Sequence, residues 1–117
     1  MLTIYNTLSQ EQVAFISGQS TPKVAILETS DHLRRWEVAL SSDTGPSYVV
    51  MIDDPGFAGD DRFLTWDDLL ARGRAAREAS PDAVAERTAQ LTPDDPATIL
   101  YTSGTTGNPK GVLLSQS

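Results

Sequence analysis

Apolar residues along this chain come in two alternating arrangements: short unbroken runs, and stripes spaced three and four apart. The opening TIYNTLSQEQVAFISGQS begins extended, and Ser9 then offers an N-cap with Gln12 three residues on, a capping box. Val13, Phe15 and Ile16 give a short apolar helical face, which Gly18 weakens near its end. Lys23 to Leu27, KVAIL, is a compact apolar run suited to a buried strand. Asp31 can cap a helix through Leu40, with Leu33, Trp36 and Leu40 on one stripe. After the turn-rich SSDTGPS, the run from Tyr48 to Ile52 reads as a second buried strand, and DDPGFAGDD as a loop. Thr65 caps TWDDLLARGRAA, with Asp67 and Asp68 in the first turn where the helix dipole favours acids. Ser80-Pro81 restarts a helix running to about Gln90, with Pro in the first position. ATILYTS is a third strand-like run, and GVLLS a candidate fourth.

Strands alternating with helices predict an α/β fold, with mostly parallel strands joined by crossover helices. The expected architecture is a partial Rossmann-like or flavodoxin-like layered unit. With 117 residues the chain is expected to form one domain at most. The segment after the third strand would then lie near the carboxyl edge of a sheet, where open α/β sheets bind ligands.

Composition narrows the partners. A net charge of −7 opposes nucleic acid and anionic membranes. There is no cysteine, so disulfides, zinc–thiolate sites and a Cys nucleophile are excluded, and the single histidine, His32, reads as a solvated surface residue rather than the base of a triad. The first basic residue is Lys23, and no apolar run approaches membrane-spanning length, so the expectation is a cytoplasmic protein without a transmembrane segment.

The chemistry concentrates in YTSGTTGNPKGV, Tyr101 to Val112. Thr102, Ser103, Thr105 and Thr106 supply hydroxyls, Gly104 and Gly107 let backbone N–H groups approach a ligand, and Lys110 supplies a mobile charge. Such a loop suits a nucleotide triphosphate. It is not a Walker A loop: Gly104 and Lys110 stand at the right separation, but Pro109 lacks the N–H needed at the second glycine, and Gly111 lacks the metal-binding hydroxyl. A Rossmann fingerprint fails too, because Gly104, Gly107 and Gly111 are spaced three and four apart.

TSGTTGNPKG resembles the phosphate loop of the adenylate-forming, AMP-binding enzymes, which include acyl-CoA synthetases, luciferases and peptide-synthetase adenylation domains. The lead-in PDDPATILY resembles the stretch preceding that loop. TIYNTLSQEQVAFI and KVAILETSDHLRRW are similar to N-terminal-domain segments of the long-chain fatty-acyl-CoA synthetase branch. One departure is Gln116, where the family usually has a His after GVLLS, so that residue's role in shaping the acyl pocket does not carry over.

The resemblance implies activation of a fatty acid by ATP to an acyl-adenylate and then to acyl-CoA, with Mg2+ and CoA as further requirements. It implies that Thr102, Ser103, Thr105, Thr106 and Lys110 bind the β- and γ-phosphates, with Gly104 and Gly107 admitting backbone donors. Family members are several times longer. Their adenine and ribose motifs, Mg-binding acid and catalytic Lys are expected beyond Ser117, and a sheet is expected before Met1. The chain is therefore expected to be an incomplete segment of an adenylation N-terminal domain, with residues 101–112 as the phosphate-binding loop and no catalytic residue of its own. The alternative is a non-catalytic truncated product, or a module that complements a second polypeptide carrying the missing motifs. A small nucleotide-binding domain is a weaker rival.

Other polar groups have structural explanations. Asp53-Asp54, Asp60-Asp61 and Asp67-Asp68 lack the alternation and closing Glu of a calcium loop, and turns and caps account for them. Asp94-Asp95 beside two prolines reads as a turn, and His32 as a solvated residue in a first helical turn. Arg72, Arg74 and Arg77 read as solvated or paired with neighbouring acids, and Trp36 and Trp66 as core or staple residues.

Overall fold

Ser9 ends the extended N-terminal segment through the expected capping box: its Oγ accepts from the Gln12 N–H at 3.3 Å, and its own N–H donates to Gln12 Oε1 at 3.0 Å. The structure, a computed structural model, describes residues 1–53, 60–102 and 107–117. Helix α1, Gln10–Ser20, runs through Gly18 and stops only where Thr21 turns left-handed, at φ 44°, just before Pro22. Strand β1 is Val24–Leu27, α2 is Ser30–Leu40 and β2 is Tyr48–Met51. The start of α2 corrects the sequence expectation. Its N-cap is Thr29 rather than Asp31, and the His32 Nδ1 accepts the Thr29 N–H at 3.2 Å. Asp31 instead pairs with Arg34 one turn on. His32 is thus a half-buried capping group rather than a solvated one.

A short strand that the hydrophobic pattern does not announce, β3 (Phe63–Thr65), follows the expected loop. That loop lies mostly outside the described residues. The sheet order is β1-β2-β3 with every pair parallel, Val24 opposite Tyr48 and Val49 opposite Phe63. Thr65 then opens α3, Trp66–Ala79, by a second reciprocal cap: its Oγ1 accepts the Asp68 N–H at 3.0 Å while Asp68 Oδ2 accepts the Thr65 N–H at 3.2 Å. Helix α4 is Ala83–Ala89, shorter than the expected span and starting after Asp82. Strands β4, Pro96–Thr102, and β5, Lys110–Ser115, pair antiparallel in a separate two-stranded sheet.

The chain divides into two compact units, Tyr5–Ala71 and Met1–Ile4 with Arg72–Ser117, the boundary falling within α3. Among the described residues, the buried aliphatic and aromatic core lies in the first: Val13 and Ile16 of α1, Ala25 and Leu27 of β1, Leu33, Trp36 and Ala39 of α2, and Val49 to Met51 of β2. Strand β2 buries Val49 to Met51 as its apolar run predicts, while Tyr48 and Ile52 at the ends of that run are about half exposed. Strand β1 is not buried on both sides: Ala25 and Leu27 face the core, while Val24 and Ile26 are about half exposed. A continuous apolar run is compatible with one covered face, and β1 is the edge of its sheet. Gly45 closes the turn after α2, where a Cβ would collide with the Ala39 carbonyl oxygen.

In the second unit the N-terminus ties down β4. The Met1 ammonium donates to Ala97 O at 2.8 Å, and Met1 O accepts from the Ile99 N–H at 3.0 Å and the Thr98 hydroxyl at 2.8 Å. The turn before β4 uses Asp95 as the PDDP composition implies, since Asp95 Oδ2 accepts the Thr92 N–H at 2.6 Å.

Candidate functional site

The expected phosphate loop joins β4 to β5. Its central residues Ser103, Gly104, Thr105 and Thr106 lie outside the described residues, and its flanks define what can be built. Thr102 ends β4 and Lys110 begins β5, and the two are direct cross-strand partners. Directly opposed residues of an antiparallel pair project to the same face. The hydroxyl of Thr102 and the ammonium of Lys110 therefore belong to one face at the mouth of the connection, and both residues are solvent-exposed. Leu100 and Val112, the partners two positions on, share that face, while Tyr101 and Gly111 occupy the other.

Within the connection, Gly107 adopts φ 106°, a region closed to residues with a side chain, although its missing Cβ would meet open space. The glycine is required there by dihedral angle alone. Pro109 is buried directly before Lys110, so the exit of the connection is anchored beside an exposed cation. Of the seven residues expected to handle phosphate, the structure describes Thr102, Gly107 and Lys110. It brings Thr102 and Lys110 together.

The sheet context differs from the expected one. The connection leaves the carboxyl end of β4, but β4 pairs antiparallel with β5 rather than joining β1-β2-β3. The rule that places ligands at the carboxyl edge of a parallel sheet therefore does not locate this site.

The other polar clusters serve local structure. Arg62 donates side-chain hydrogen bonds to Asp60 and adds its backbone N–H, holding that carboxyl below the ordinary 3.8. Asp68 and Asp95 are cap and turn acceptors. Arg72, Arg74 and Arg77 are exposed on α3. Trp36 is core, whereas Trp66 is 40% exposed. A feature absent from the expected site set is Gly111, which lies beneath the Tyr101 ring. An aromatic one residue before a loop and a glycine at the matching position after it were the available signal.

Residues 1–117 match the family model described as AMP-binding enzyme. The chain belongs to the AMP-binding enzyme family. Among the members it resembles is the long-chain-fatty-acid–CoA ligase FadD15 of Mycobacterium bovis, 37% identical over 116 residues, covering 97% of this chain and 18% of that protein. The long-chain-fatty-acid–CoA ligase ACSBG1 of Mus musculus is 33% identical over 113 residues, covering 97% of this chain and 15% of the mouse protein. This family member thus spans less than a fifth of the length of those relatives. In fold it is similar to the anthranilate CoA ligase AuaEII, solved with anthranoyl-AMP, with a TM-score of 0.70 at 20% identity over 98% of this chain and 20% of that one. The luciferase-like enzyme of the mealworm Zophobas morio matches with a TM-score of 0.60, also at 20% identity, over 98% of this chain and 24% of its own. The resemblance read from YTSGTTGNPKG, the long-chain ligase branch and the α/β fold class all hold. Among the described residues no helix is long and apolar enough to cross a membrane.

Proposed function

We propose that this chain supplies the ATP phosphate loop of a fatty-acid–CoA ligase. In that reaction a carboxylate attacks the α-phosphorus of ATP, pyrophosphate leaves with the bond electrons, and the CoA thiol then displaces AMP from the acyl-adenylate. Negative charge grows on the departing pyrophosphate, so fixed donors and a cation aimed there accelerate the step. The observation that carries this reading is the pairing of Thr102 with Lys110 on one face of the hairpin mouth. Ser103, Thr105 and Thr106 add hydroxyls between them, and Gly104 and Gly107 admit backbone N–H groups. Mg2+, when bound, shields the phosphates; no residue of this chain is assigned to it or to CoA. The 117 residues alone are proposed to be inactive, because they correspond to less than a fifth of the length of the ligases they resemble.

The test is a 31P NMR titration of MgATP with the chain. The β and γ resonances are expected to respond more strongly than α. Lys110→Ala removes a charge-assisted contact worth about 1.5–3 kcal/mol and should weaken the interaction about 10- to 150-fold. No response, or one indifferent to Lys110→Ala, refutes the phosphate-loop assignment. Pyrophosphate release from ATP and palmitate by the chain alone, abolished by Lys110→Ala, would instead refute its incompleteness.

A further inference from the structure

The β4–β5 hairpin raises a question of register. Placing Thr102 and Lys110 on one face requires that strand pairing be held to the residue, since a one-residue slip sends every side chain of one strand to the opposite face. Neither of the usual devices holds it. The connection, residues 103–109, is too long to dictate register as a two-residue turn does. Hydrophobic burial does not choose either, because Val112, Leu113 and Leu114 are all substantially exposed and lie on both faces of β5. At the open end the pairing has already shifted, between Thr98 opposite Leu114 and Pro96 opposite Ser115.

One cross-strand pair near the mouth does discriminate. Tyr101 lies opposite Gly111, and a Cβ at position 111 would stand 3.0 Å from Tyr101 Cζ, 3.2 Å from its Cε1 and 3.3 Å from Ile99 Cγ2. The ring therefore rests on the glycine itself. Gly111 has no positive φ to explain it; space explains it. An aromatic covering a strand glycine across the pair also offsets the weakness glycine brings to a strand. Sliding β5 by one residue would set the ring against Lys110 or Val112, and sliding it by two would set it against Pro109 or Leu113. Position 111 is the one glycine of β5, and the ring as placed sits closer there than a Cβ would ordinarily allow.

We propose that Tyr101 and Gly111 form a register lock that holds Thr102 and Lys110 on the same face. They are positioning residues, acting through the pair next to them; their functional consequence rests on the phosphate-loop reading, while the lock itself does not.

Because the chain has no native cysteine, register can be read directly with Leu100→Cys/Val112→Cys, which places the only two thiols on opposed positions. Disulfide formation rate and the 31P response to MgATP are measured in parallel, with the urea midpoint reported by Trp36 as a control on the other unit. Gly111→Val inserts a residue with higher strand propensity, so propensity alone predicts a gain. The lock predicts at least a fivefold loss of cross-linking rate and at least a tenfold loss of MgATP affinity, without change in the Trp36 midpoint. In a Tyr101→Ala background the same Gly111→Val change should alter each by less than twofold, and Tyr101→Phe should leave both within twofold of the parent. Unchanged cross-linking in Gly111→Val, or equal losses with and without the Tyr101 ring, overturns the lock. The two readings fail separately. An unresponsive 31P spectrum alongside the predicted cross-linking cycle removes the phosphate loop and leaves the lock, whereas a Lys110-dependent spectrum indifferent to Gly111→Val removes the lock alone.

Discussion

Ser17 sits on α1 at 1% exposure, and its hydroxyl has no hydrogen-bond partner among the described residues. Its neighbour Ser20 shows the usual solution, donating to the Ile16 carbonyl one turn back at 2.7 Å. Ser17→Ala should therefore stabilise the chain, contrary to the usual sign of a core substitution. A buried hydroxyl left unpaired costs about 1–3 kcal/mol, and alanine adds up to about 0.5 kcal/mol of helix propensity over serine. The vacated oxygen volume is smaller than a methyl group, so its cavity returns less than about 1 kcal/mol. The expected gain is about 1–2.5 kcal/mol. With a urea dependence of about 1 kcal/mol per molar for so small a unit, the midpoint should rise by about 1–2.5 M. Trp36, buried in the same unit, reports the transition by its emission, and a Trp66→Phe background removes the second indole. A midpoint lowered by about 1 M or more in Ser17→Ala would show that the hydroxyl makes a bond and would refute the reasoning.

Three further outcomes are expected. Gly45→Ala forces a methyl into the Ala39 carbonyl oxygen and should destabilise by about 1–3 kcal/mol in the same urea assay. Thr65→Ala removes the acceptor for the Asp68 N–H and should cost about 1 kcal/mol, read as faster amide exchange at Asp68 and Leu69. Because Arg62 lowers the folded-state pKa of Asp60, that pair favours folding above the ordinary carboxylate range, and its contribution disappears as pH falls through the lowered value. Arg62→Ala should raise the Asp60 pKa, followed by carboxyl 13C NMR, and should flatten the acid limb of stability against pH.

What the sequence made legible follows from how local each signal is. The capping box at Ser9 and the cap at Thr65 are short-range and appear as read, with Asp68 adding a reciprocal bond at Thr65 that the sequence reading assigned to the helix dipole. Thr29 and Asp31 are both competent caps for α2 by residue type, and the structure selects Thr29, whose N–H meets the His32 ring three residues on. β3 escaped because three residues of Phe-Leu-Thr carry too little periodicity to separate from a helix start. The outer face of β1 is exposed against expectation, since a run such as KVAIL records hydrophobicity but not which neighbour covers it.

The antiparallel hairpin was within reach of the sequence, and the reason bears on the site. Parallel neighbours need a crossover of about a dozen residues or more, whereas only residues 103–109 separate β4 from β5. Counting that gap forbids parallel pairing of these two strands as sequence neighbours, whatever the upstream alternation suggests. It also fixes what must order the mouth. No residue of β4 or β5 is fully buried, and a two-stranded hairpin is marginal in water by itself. Order here must come from discrete partners: the Met1 bonds to Ala97, Thr98 and Ile99, the Gln116 N–H to Pro93 and Asp95, and the fit of Tyr101 on Gly111. The sequence could nominate candidate phosphate-handling residues through the resemblance of TSGTTGNPKG to a family loop. It could not say that Thr102 and Lys110 share a face, because that depends on pairing across the strands rather than on the run of residues along them.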